Sequence, residues 1–86
     1  MTIYLTDEPF AETCIAYAAE APDSRVVLLQ DAVYLARRPG LPPRTYVISD
    51  DVTRRGLEGS IDAGVKVIGY DGLVAMMETE RVVCFL

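Results

Sequence analysis

Four apolar residues stand in a row at Val26-Val27-Leu28-Leu29, closed on one side by Pro22-Asp23-Ser24 and on the other by Gln30-Asp31. So short a run with no polar alternate is the pattern of a strand covered on both faces, the condition of strands in parallel sheets flanked by helices. The rest of the chain repeats this arrangement. β-prone runs at 2–5, 25–29, 45–48, 65–68 and 82–85 alternate with stretches of helical character. Strand followed by helix at such short spacing implies parallel pairing through right-handed crossovers.

The helical stretches carry their own signals. Thr6-Asp7-Glu8-Pro9 reads as a helix start, and beyond it Phe10, Cys14, Tyr17, Ala18 and Ala21 fall on one face at spacings of 4, 7, 8 and 11 from the first. The Ala21-Pro22-Asp23-Ser24 turn closes that helix. Asp31 is placed to cap a second helix that stops at Pro39-Gly40-Leu41-Pro42-Pro43. Ser49-Asp50-Asp51 opens a third, ending at Gly56 with Arg54-Arg55 in its last turn, and Asp71 caps a fourth running to about Thr79. The expectation is an α/β fold: a three-layer, doubly wound domain with a five-stranded, mostly parallel sheet. With 86 residues, 51% of them hydrophobic, the chain has length for one domain, 1–86, and a surplus of apolar residues that an interface can absorb.

Several function classes are excluded on chemistry. The net charge is −5, and the cations are seven arginines and Lys66 with no clustered stripe, so direct nucleic-acid binding is not expected. The chain has no histidine, and its two cysteines, Cys14 and Cys84, stand far apart, so neither a zinc site nor a Ser-His-acid triad can be assembled. No strand is followed by a phosphate-cradling glycine motif, and no cofactor is expected. No apolar stretch approaches the ~18 residues of a membrane span, and MTIYLTDEPF lacks a basic region followed by an apolar run. A cytoplasmic chain with both cysteines as thiols is the expectation.

Ligands of open parallel sheets bind beyond the carboxyl ends of the strands, which here are 6–8, 30–31, 49–51 and 70–71, each with a carboxylate. A metal-holding or phosphoacceptor reading of Asp7, Glu8 and Asp50 or Asp51 competes with one in which these acids cap helices. Capping is preferred, because no lysine follows the last strand to neutralise a phosphoryl group. Cysteine chemistry remains available, since a thiolate accepts persulfide sulfur without a triad if it is accessible and of suitably low pKa. Cys14 lies on an apolar helix face, where a buried filler and a nucleophile are both open readings. Cys84, between Val83 and Phe85 in a strand, is expected in the core. Met76-Met77, Tyr17, Tyr34 and Tyr70 read as core or interface filler.

Three of these segments resemble a known family in register. Val26-Val27-Leu28-Leu29-Gln30-Asp31-Ala32-Val33-Tyr34 resembles the "LLLxDGVY" segment of TusB/DsrH proteins, the stretch from Tyr46 to Leu57 their "VYALxxDLxARGL" segment, and Val67-Ile68-Gly69-Tyr70-Asp71-Gly72-Leu73-Val74 their "xxIDYxGFVDL" segment. Ala32 stands where the family usually has glycine, the 39–44 loop is brief, and Phe85 takes the place of a frequent tryptophan.

The resemblance implies a DsrEFH-like fold and a subunit of a cytoplasmic sulfur-relay complex, serving either tRNA wobble-uridine thiolation (TusB-like) or dissimilatory sulfur oxidation (DsrH-like). The implied partners are homologous TusC/DsrF-like and TusD/DsrE-like subunits in a hetero-oligomer, with a homo-oligomer as the alternative. Glu12-Thr13-Cys14 is similar to the "ESC" context of a first-helix cysteine in the DsrH branch, which makes Cys14 the candidate persulfide carrier. The competing expectation is an interaction subunit that carries no sulfur on its own cysteine.

Overall fold

The computed structural model describes residues 2–21 and 23–85; Pro22, part of the expected turn after the first helix, lies outside the described residues. The strands are β1 (Thr2–Thr6), β2 (Ser24–Leu28), β3 (Thr45–Ile48), β4 (Lys66–Ile68) and β5 (Arg81–Phe85). Between them lie helices α1 (Ala11–Ala19), α2 (Ser49–Arg54) and α3 (Tyr70–Met77), and a 3-10 helix, η1 (Gln30–Arg37). The sheet order is β4-β3-β2-β1-β5, and every pairing is parallel. The α/β fold with its five-stranded sheet therefore stands as the sequence implied, with a sheet that is wholly parallel.

This order divides the helices unequally. The chain steps outward from β1 to β4 through α1, η1 and α2, then returns through α3 to β5 on the far side of β1. Right-handed crossovers in opposite directions put their helices on opposite faces. Accordingly, Tyr4, Val26, Leu28 and Val47 pack under Cys14 and Ala18 of α1, Ala32, Val33 and Ala36 of η1, and Val52 of α2. On the other face Ile3, Leu5, Val27 and Ile48 meet Leu73 of α3. The run Val26-Val27-Leu28 is fully enclosed because β2 is the central strand, with helices above and below.

Several boundaries differ from expectation for local reasons. The first helix begins at Ala11, later than the Thr6-Asp7-Glu8-Pro9 signal indicates. The Asp7 carboxylate accepts the Glu8 N–H at 2.7 Å and the Asp31 N–H at 3.1 Å, which holds 7–10 as a turn. The second helix is a 3-10 helix of eight residues. At ~2.0 Å rise per residue it spans roughly 16 Å, against about 12 Å for an α-helix of equal length, so a minimal crossover can travel back along the strands. Phe10 and Tyr17, placed with Cys14 on one buried face by their spacing, are exposed. Tyr17 instead leans over the sheet edge, its ring 5.7 Å from Tyr4 and 6.2 Å from Phe85.

The second face is covered thinly. A five-stranded sheet is about 19 Å wide between its outer strands, and an eight-residue helix is about 12 Å long. The uncovered amino end carries charge: Arg25 pairs with Glu80 at 2.7 Å, and Arg25 and Lys66 both lie over the Tyr46 ring. Within α3 only Leu73 is buried. Leu73→Ala is expected to cost roughly 2–4 kcal/mol in urea unfolding, whereas exposed Val74→Ala should change stability by less than about 0.5 kcal/mol.

Candidate functional site

Parallel pairing brings the ends of β1, β2, β3 and β4 to one edge of the sheet, and the acids singled out from the sequence gather there. Asp51, in the first turn of α2, is fully buried. Its Oδ2 accepts the Gln30 N–H at 2.9 Å and, at a longer 3.4 Å, the Tyr70 hydroxyl. Its Oδ1 lies 3.5 Å from an Arg54 nitrogen and 3.7 Å from an Arg55 nitrogen. Arg55 in turn donates to Asp31 Oδ1 at 2.9 Å. Gln30 has a left-handed backbone, φ +48°, which L-residues avoid, and the bond to Asp51 holds it there.

Of these acids Asp7 and Asp51 cap a helix, though not their own. No side-chain cap bond is found at the start of α1, η1, α2 or α3. Asp31, read as the cap of the second helix, turns outward to Arg55, and the N–H groups opening η1 are satisfied by Asp7 from the turn after β1 and by Asp51 from α2. Among the described residues no three His, Cys, Asp or Glu side chains form a metal-binding group. Tyr70 is held above its ordinary pKa, first by partial burial and then by the Asp51 carboxylate. Arg55 is likewise raised, chiefly by its bond to Asp31. Carboxylates thus link the segments that meet at this edge. An open groove of about 600 Å³ lies elsewhere, between α1 and Gly40–Arg44 near the amino ends of β2 and β3.

Cys14 sits between α1 and the sheet with no exposed surface. Its burial pushes the thiol up to about 11, a shift that hydrogen bonding with Thr6 only partly offsets. At neutral pH about one molecule in ten thousand holds it as a thiolate. Cys84 corrects the sequence expectation: it is exposed, not in the core. It pairs with Leu5 on the edge strand β5, and so points to the face that α3 covers only in part. The two thiols therefore face opposite sides of the sheet, which rules out a disulfide between them without unfolding.

A family model described as DsrH-like protein matches residues 8–83. The chain belongs to the DsrH-like family. Comparison with curated proteins gives no match. The DsrH-like family supplies sulfur-relay subunits, and its members function with partner subunits. The three resembling segments are the β2-to-η1, β3-to-α2 and β4-to-α3 junctions, which meet at the carboxyl edge built around Asp51. No helix among the described residues is long and apolar enough to cross a membrane.

Two outcomes are expected. Asp51→Ala leaves the Gln30 N–H without its acceptor and should cost roughly 1–3 kcal/mol in urea unfolding, with Asp51→Asn losing less because an acceptor oxygen remains. The Cys14 thiol, at about 11 when folded against an ordinary 9.0, stabilises the fold fully below pH 9 and loses that contribution as pH rises toward 11. Between pH 8 and pH 10.5 the wild type should lose about 2 kcal/mol more stability than Cys14→Ala.

Proposed function

We propose that this chain is the DsrH-type subunit of a cytoplasmic relay in which persulfide sulfur passes between proteins, and that it shapes the assembly for a partner's cysteine. The partners in this reading are homologous DsrF-like and DsrE-like subunits. Family membership supports the relay role. The observation that carries the second half is the enclosure of Cys14: persulfide transfer needs a thiolate in contact with the donor's outer sulfur, and this thiol has neither exposure nor a low pKa.

The carrier reading of Cys14 rests on Glu12-Thr13-Cys14. In it the Cys14 thiolate attacks the outer sulfur of a partner's Cys–S–SH. One S–S bond forms on Cys14 as the donor's breaks, and the donor cysteine leaves as thiolate. This step requires α1 to lift from β1 first, and the rate of that local opening limits it.

Incubating the chain with a persulfidated donor and measuring intact and peptide masses separates the two. The expected result is no added sulfur (+32 Da, about the mass of one S atom) on Cys14, and alkylation of Cys14 at least about a hundredfold slower than that of exposed Cys84. Sulfur found on Cys14 at a rate competitive with exchange among the partners would restore it as carrier and leave the subunit role standing.

A further inference from the structure

Helix α3 has the composition of a buried helix and the exposure of a surface one. Leu73-Val74-Ala75-Met76-Met77 is an unbroken apolar run, yet Leu73 alone is buried and Met76 is half-buried. A continuous apolar run on a helix is ordinarily covered. At 100° per residue, Tyr70, Met77 and Val74 fall into one stripe beside the buried Leu73, and they are 45%, 39% and 54% exposed. Three large apolar side chains in one stripe differ from singly scattered ones, which need no explanation.

The border of the stripe says what fits it. The next positions round the helix are Asp71 and Glu78, both exposed, and α3 carries no cation. Glu80, just beyond, is held by Arg25. A second copy docking stripe to stripe would set acid rows against each other, on chains that already carry −5 each. A surface that is apolar at its centre and rimmed by lysine or arginine meets the stripe and the acid row together.

We propose that the Tyr70/Val74/Met77 stripe, with Asp71 and Glu78 at its margin, docks a cation-rimmed apolar surface of a different protein, the partner subunit of the relay. This rests on the subunit reading above and adds to it the surface and its chemistry. The contact lies on the sheet face opposite Cys14, the same face that displays Cys84, so the docked partner covers the thinly protected side of the sheet.

The test uses the full chain co-expressed with its DsrE-like and DsrF-like subunits. A benzophenone side chain is placed at Val74, with Glu58, an exposed loop position, as control. Affinity is measured for Val74→Asp and for the pair Asp71→Lys with Glu78→Lys, after circular dichroism has shown each variant folded. Crosslinks to a partner subunit from position 74 and not 58, with affinity about tenfold weaker for both variants, are the expected result. The wild-type affinity should also fall with added salt while that of the double-lysine variant does not.

An assembly that forms with no crosslink at 74 and no loss in either variant overturns the docking surface and keeps the subunit reading. Loss with Val74→Asp alone overturns the cationic rim, and crosslinks between two copies of this chain overturn the choice of partner. Failure of the chain to assemble with either homologous subunit overturns both readings.

Discussion

A parallel sheet that grows outward from β1 to β4 and then adds its last strand on the other side of β1 has to place three crossovers on one face and one on the other. Most of what distinguishes this molecule follows from that inequality. The first face is sealed by α1, η1 and α2, and Cys14 is shut in beneath them. The second face has one helix held by one buried leucine, and Cys84 and the apolar stripe of α3 are left in contact with solvent. Two cysteines in similar apolar sequence surroundings thus meet opposite fates.

Short crossovers impose a second condition, which the carboxylates meet. Where β2, β3 and β4 pass into η1, α2 and α3 at most one residue intervenes, which leaves little room for a local capping turn, and the helix N-terminal N–H groups still require acceptors. Asp7 and Asp51 reach across from neighbouring elements to supply them at Gln30 and Asp31. The buried Asp51 side chain is accommodated in this position because two arginines and two donors surround it; without partners it would be costly there. The same bonds tie η1, α2 and α3 to one another at the carboxyl edge, where such sheets commonly bind ligands.

The element order was legible because each strand is an apolar run and each helix start carries an acid or a proline; both signals are local. The enclosure of Val26-Val27-Leu28 was legible for the same reason. Strand order was not, since pairing partners are set by long-range packing, and the status of Cys84 depended on it: a strand sequence of Val82-Val83-Cys84-Phe85 fits a central strand, but β5 lies at an edge. The acids at 7 and 51 were legible as caps, while their targets were not, because a cap in trans has no fixed spacing; Asp31, read as a cap, pairs with Arg55 instead. Periodicity placed Cys14 and Ala18 inward correctly and Tyr17 incorrectly, since Tyr17 sits at the rim of the buried arc and finds Tyr4 and Phe85 at the sheet edge.

The placement of the two thiols bears on how a relay can use this subunit. Sulfur transfer between two cysteines requires the sulfurs to come within bonding distance, and here the hydrogen-bonded sheet stands between them. No internal hand-over from Cys14 to Cys84 is open to the folded chain. Of the two thiols, only Cys84 on β5 meets solvent, and Cys14 stays enclosed on the other side of the sheet. What the subunit itself contributes is a rigid, fully parallel frame with one closed face and one incompletely covered, and it is the incomplete face that has chemistry left to satisfy.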